Sequence, residues 1–156
     1  MIARFVAYGQ WANRLMMAGL AKVPEAVLIA PQPVVFGSIL RTAHHVLAMG
    51  EVWRAHLSGG EHGFASRNPE FCPGLDEIAA RLAAVDDWYG AYVAGGADLD
   101  EVVRFAFIDG GEGAMTRGEI LLHVVNHATY HRGHIGAMLN GAGFGLPASD
   151  LPVFAA

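Results

Sequence analysis

Between Leu121 and Leu139 the chain reads Leu-Leu-His-Val-Val-Asn-His-Ala-Thr-Tyr-His-Arg-Gly-His-Ile-Gly-Ala-Met-Leu, and this segment limits what the rest can fold into. It holds His123, His127, His131 and His134, half of the eight histidines in the protein. On a helix turning about 100° per residue these four fall within an arc of roughly 80°. Two imidazoles one turn apart on such an arc can share a cation, the geometry of His-x-x-x-His metal sites on other helices. A solvated face would carry Lys and Glu, and a plain core face Leu and Ile. This stripe is neither, so it asks for a facing element that completes a site.

Three further segments carry helical periodicity. From about Ala3 to Val23, Phe5, Tyr8, Trp11, Ala12, Leu15, Met16, Gly19 and Leu20 recur at spacings of three and four. Pro24 ends that helix, and Pro31 and Pro33 keep the next stretch extended. Ser38 is an N-cap candidate for a second helix, Ile39 to about Leu57, with Leu40, Ala43, His44, Leu47, Gly50 and Val52 directed inward. Ser58-Gly59-Gly60 stops it, and a Gly-, Asn- and Pro-containing loop runs to Pro73-Gly74. A third helix spans about Leu75 to Val93. The period then changes: Glu101–Ile108, rich in Val and Phe, followed by Asp109-Gly110-Gly111, reads as a strand and tight turn of a small hairpin. Thr116-Arg117-Gly118-Glu119 matches a capping box and opens the histidine helix, which runs to about Asn140. The tail Leu146–Ala156 is expected to lie across the bundle without adding an element.

These elements predict an all-α four-helix bundle with long crossover connections and one small β-hairpin before the last helix. The connections are long for an up-down-up-down bundle, and periodicity does not fix which helices are neighbours. At 156 residues, without a repeat or linker, residues 1–156 are read as a single domain. Hydrophobic residues form 53% and charged residues 16% of the chain, which marks an ordered protein. The net charge of −5 and the scattered basic residues disfavour nucleic acid as a partner. No stretch approaches the roughly 18 consecutive apolar residues of a membrane span. The lone Cys72 and the lack of a signal-peptide pattern lead to the expectation of a reducing, cytoplasmic location.

A divalent transition ion wants three or four protein ligands, so the paired histidines need another from a facing helix. His44 and His45 lie in the first two turns of the second helix and point about 100° apart. Leu40, Ala43 and Leu47 share the face of His44, which periodicity therefore favours slightly.

Phe36-Gly37-Ser38-Ile39, then His45, then Trp53, resembles the second-helix signature of the DinB family of metal-binding four-helix bundles. Tyr8-Gly9-Gln10-Trp11-Ala12-Asn13 resembles its first helix. Asn126-His127-Ala128-Thr129-Tyr130-His131-Arg132-Gly133 resembles its fourth-helix signature closely, and Ala142-Gly143 with Asp150-Leu151-Pro152 and Phe154 resembles its C-terminal end. The resemblance covers nearly the whole chain. It implies that three histidines bind a divalent metal, one from helix 2 and two from helix 4, and it places these on His45, His127 and His131. There are two departures. An acidic residue common five places after the helix 2 histidine is Gly50 here, with Glu51 beside it, and a Gln common two places after the Arg is His134.

His123 is then expected to pack beside the ligands and His134 to line the pocket mouth. Tyr130 and Trp53 are expected in the core, Gly133 at a close helix approach, and Arg132 against a carboxylate of a neighbouring helix. The resemblance further implies a metal-dependent enzyme of the thiol S-transferase type, with metal-assisted hydrolysis as a variant. Its substrate would be a small molecule and its co-substrate a low-molecular-weight thiol. The alternative is a non-catalytic metal-binding stress-response protein, whose site would be closed by a fourth ligand such as His44 or His123. Zinc or nickel is the expected ion, with iron, copper or manganese also compatible with imidazole ligands. Related bundles pair as homodimers, and the apolar composition is compatible with that.

Overall fold

The four periodic segments fold as four long helices because each has an apolar stripe that can be buried only against the others. The computed structural model describes residues 1–155. In chain order the elements are α1 (Ile2–Leu20), α2 (Glu25–Ile29), α3 (Ile39–Ser58), α4 (Leu75–Ala94), β1 (Val102–Ala106), β2 (Glu112–Thr116), α5 (Arg117–Gly141) and α6 (Leu151–Ala155). Met16, Leu20, Ile39, Leu47, Ile78, Ile120, Leu121, Ile135 and Leu139 are almost wholly buried at the centre. Among the described residues no helix is long and apolar enough to cross a membrane.

Local signals set the helix ends. The Ser38 hydroxyl accepts the Arg41 N–H at 3.2 Å and opens α3. Gly59 closes it in the left-handed region at φ 68°, which costs glycine nothing. The capping box of α5 is complete: Thr116 Oγ1 accepts the Glu119 N–H at 3.1 Å, and Glu119 Oε2 accepts the Thr116 N–H at 2.7 Å. β1 and β2 pair antiparallel with Phe105 opposite Gly113.

Two short helices correct the sequence reading. α1 ends at Leu20, short of the Val23 expected, and Pro24 is the N-cap of the added helix α2. The tail does lie across α1, where Phe154 packs on Tyr8 and Trp11, yet it also winds into the single turn of α6. Its last residue, Ala156, is outside the described residues.

α1 packs against α4 and α5, and α3 packs against the same two helices. α1 and α3 therefore stand at opposite corners, and the chain crosses the bundle diagonally from α1 to α3 and again from α4 to α5. These are two of the connections that the sequence marks as long.

One buried polar chain ties three corners together. Arg132 on α5 donates to Asn13 Oδ1 on α1 at 2.8 Å, and Asn13 Nδ2 donates to the Asp86 carboxylate on α4 at 3.0 and 3.2 Å. Arg132 thus meets its carboxylate through an intervening amide, a correction to the direct pairing expected. It also donates to Thr129 Oγ1 at 2.7 Å. Burial raises the Asp86 carboxyl to about 6, partly offset by the Asn13 hydrogen bonds and the positive charges of Arg14 and Arg132. Gly133, expected at a close helix approach, faces open space; tight helix contacts occur instead at Gly9, where a Cβ would stand 3.1 Å from Val125, and at Gly90, where it would stand 2.7 Å from Gln10.

Asn13→Ala removes both halves of this bridge and leaves a buried guanidinium and a buried carboxylate without it. A loss of about 2–4 kcal/mol is expected in chemical denaturation. Arg14→Ala, which deletes an exposed pair with Asp87, should change stability by less than about 1 kcal/mol.

Candidate metal centre

α3 and α5 run antiparallel, so that Trp53 meets His123 while His45 meets His127 and His131. His127 and His131 share a face because they are one helical turn apart. His45 is brought opposite them by the packing of α3 on α5. Among the described residues these three form the one group of His, Cys, Asp or Glu side chains placed to hold a metal ion, and their ligand atoms all lie within 4.8 Å of one another.

Hydrogen bonding decides which nitrogens face inward. His45 Nδ1 lies 2.7 Å from the Arg67 carbonyl, which can only accept, so Nδ1 carries the proton and Nε2 a lone pair. His45 Nε2 is 3.1 Å from His127 Nε2, and His131 Nε2 is also 3.1 Å from His127 Nε2. An imidazole nitrogen has a single in-plane site. No proton assignment therefore gives His127 a linear hydrogen bond to both neighbours, and three converging nitrogen atoms suit a cation between them. Two ligands about 2.0–2.1 Å from a common ion, at angles between octahedral and tetrahedral, stand about 2.9–3.4 Å apart. Both spacings to His127 fall in that range, so the residues fit such an ion.

The rings are held by packing as well. Phe36 stacks on His45 with centroids 3.9 Å apart and meets His131 edge-on at 5.5 Å. His131 Nδ1 is buried without a hydrogen-bond partner, leaving Phe36, Tyr130 and His134 to fix that ring through contact. Burial lowers the pKa of all three, His127 to about 3 and His131 to about 4, with repulsion between the imidazoles adding to it. At neutral pH they are uncharged, the form that ligates.

The triad lies on the wall of a cavity of about 790 Å³, roofed by the loop after α3 and by the hairpin. Arg67 in that loop is ion-paired with Asp109 at the hairpin turn. Arg41 on α3 pins the same loop through the Asn68 side chain and the Pro69 and Glu70 carbonyls. The loop that orients His45 is therefore itself tied down.

His44 takes no part. It is buried away from the cavity in the field of Arg81, Arg41, Glu51 and Glu77, so the slight preference that periodicity gives it is not realised. His123 packs between Trp53 and His127 on the cavity wall. His134 lies against Tyr130 and lines the cavity, as expected. Tyr130 itself is 62% exposed at the mouth and not in the core. It falls between the buried faces of Ala128 and His131, and its size alone misled. Trp53 is buried but also lines the cavity.

Glu51, the acid beside Gly50, is not a shifted replacement at the site. Its carboxylate takes two hydrogen bonds from Arg81 on α4, at 3.1 and 2.7 Å. Gly50 contributes its carbonyl to the buried Tyr89 hydroxyl at 2.7 Å, and a Cβ there would lie 3.1 Å from Val85. The residues that sequence reasoning missed are Phe36 as a packing partner of the triad and Arg67, whose role rests on a backbone carbonyl and leaves no side-chain signal.

Three comparisons agree with this architecture. The model of the DinB family matches residues 1–156. The chain is 27% identical over 153 residues to protein DinB of Bacillus subtilis (strain 168), covering 94% of this chain and 89% of that protein. Its fold is similar to that of a DinB-like protein from Bacillus cereus ATCC 10987, whose crystal structure superposes with a TM-score of 0.69 at 18% identity over 91% of both chains. With a bundle of this topology and a family match over its whole length, the chain belongs to the DinB family.

Proposed function

We propose that this protein is a metal-dependent enzyme in which His45, His127 and His131 hold one divalent transition ion and a low-molecular-weight thiol is transferred to a small electrophile. The observation that carries the reading is the meeting of three neutral imidazole nitrogens on the wall of an open cavity of about 790 Å³. When bound, such an ion supplies a Lewis acid that lowers the pKa of a thiol or water and polarises a carbonyl. The chain's own residues hold that centre in position. The Arg67 carbonyl fixes the His45 tautomer, Phe36 clamps two of the rings, and the loop and hairpin supply further walls of the cavity.

Thiol transfer is supported over hydrolysis by what surrounds the triad. Among the described residues the one carboxylate lining the cavity is Asp109, and it is engaged by Arg67. A thiol with an ordinary pKa of about 8.5 needs far less help from a general base than water does. The reading of a closed, non-catalytic metal site is disfavoured because His44 faces away and His123 stands outside the ligand group.

Metal analysis of the purified protein and its variants tests the centre. About one ion per chain is expected for the parent and for His44→Ala, and none for His45→Ala or His131→Ala. Metal lost with His44→Ala and kept with His45→Ala would overturn the assignment. A panel of small thiols with electrophiles, run with and without chelator, then checks turnover. Chelator-sensitive conjugation is expected, whereas bound metal with no conjugation would favour the passive binder.

The metal-free protein should also be acid-sensitive. An unfolded chain protonates His127 and His131 near 6.5, but the fold resists until about 3 and about 4, so stability falls as pH drops through this window. Asp86, raised to about 6, acts in the opposite sense between about 6 and 3.8 but is a single group against two. Thermal melts in chelator should give a lower Tm at pH 5 than at pH 7, and His127→Gln should flatten that dependence.

A further inference from the structure

The cavity extends well past the triad. Along α3 its lining residues are Thr42, His45, Met49, Val52, Trp53 and His56, one stripe of the helix. At a rise of about 1.5 Å per residue, Trp53 lies roughly 12 Å beyond His45 along the axis, enough for one or two fused rings. Four aromatic side chains from three elements enclose this end. Trp53 meets Phe105 edge-on at 4.8 Å, His123 at 5.0 Å and His56 at 5.4 Å, and His56 faces Phe105 at 5.5 Å.

The hairpin delivers one of these walls. Phe105 is the one buried residue of β1, and its neighbour across the ladder is Gly113. A Cβ at Gly113 would come within 2.6 Å of the Phe105 ring, so only glycine there lets the ring lie as it does. The approach is apolar as well. Val35, Phe107 and Tyr130 are exposed, and each lines the same cavity.

Charge is absent from this end. Among the described residues, the formally charged ones lining the cavity are Arg67 and Asp109, and each is neutralised by the other. Burial lowers the pKa of His56, so it is uncharged near neutrality. A ligand's carboxylate, phosphate or ammonium placed here would lose its hydration and find no counter-ion. A flat ring would find edge-to-face partners on several sides.

We infer that the end of the cavity walled by Met49, Val52, Trp53, His56, Phe105 and His123 is a binding compartment for a flat, uncharged, apolar group, the part of the substrate that sets specificity. This deepens the reading of the triad as a reaction centre and rests on it for the fate of the bound molecule, though binding itself does not require the metal. Substrates with an aromatic or similarly flat apolar body are favoured, and molecules with a charged group on that body are rejected.

Two dyes that differ by one sulfonate provide the test. Neutral N-phenyl-1-naphthylamine and anionic 8-anilinonaphthalene-1-sulfonate are titrated by fluorescence against the full chain, metal-loaded and chelator-treated. Saturable binding of the neutral dye is expected, with the sulfonate weaker by about tenfold or more. Phe105→Ala, which removes the hairpin's buried ring from the wall, and His56→Asp, which sets a charge there, should each weaken the neutral dye by about tenfold. Equal affinity for the two dyes, or neutral-dye binding unchanged in both variants, would overturn the inference. His45→Ala, expected to lose the metal and keep the preference for the neutral dye, separates the two ideas. Selective dye binding by a parent chain that takes up no metal would refute the metal centre and keep the compartment. Metal bound without dye selectivity would refute the compartment alone.

Discussion

Three lone pairs directed at one point repel one another, and a fold that brings them together must hold them there. In this chain the decisive contact is the hydrogen bond from His45 Nδ1 to the Arg67 carbonyl, since it puts the proton on the outer nitrogen and leaves the inner one bare. A side-chain partner could have rotated away. A backbone carbonyl in a loop pinned by Arg41 has little such freedom. The long segment between α3 and α4 is thus a structural part of the centre, which explains why a bundle that could turn in a few residues spends so many here.

The opposite side of α5 is anchored by a different physical device. Arg132 follows His131 directly and points into the core, where Asn13 passes its hydrogen bonding on to Asp86. Buried charges of opposite sign separated by a neutral amide are each solvated by it, at lower cost than an isolated ion in the same place. Because the guanidinium reaches α1 and, through Asn13, α4, it fixes the rotation of α5 about its axis. That rotation is what aims His127 and His131 at His45.

The cavity arises from diagonal crossings. A bundle of neighbouring helices joined by tight turns would close over its own core. Here the chain crosses from α4 to α5 through the hairpin, and the hairpin lies over α3 with Phe105 against Trp53. Its turn reaches the α3–α4 loop through the Asp109–Arg67 pair. The roof is therefore made of two segments that belong to no helix, and the space under it holds the triad at one place and an aromatic end at another. This departure from ideal packing leaves room for a site beside the facing helices.

Four helices, their caps and the hairpin were legible in the sequence because each rests on interactions within a few residues: stripes at 3.6-residue spacing, Ser38 and Thr116 as caps, glycines at turns. The pairing of His127 with His131 was legible for the same reason, as one helical turn relates them. Periodicity slightly favoured His44 over His45, the wrong one of the two for the triad. The family resemblance named His45, and tertiary packing brought that residue opposite the other two, since a helix can turn either neighbour inward and only its contacts with α4 and α5 fix the rotation. Tyr130, Gly133 and Arg132 were misplaced because size, smallness and charge are properties of residues, whereas burial and partnership belong to surfaces that meet only in three dimensions. The tautomer of His45, set by a carbonyl 22 residues away, was out of reach of any one-dimensional reading, because every residue carries the same carbonyl and only the folded path of the chain selects one.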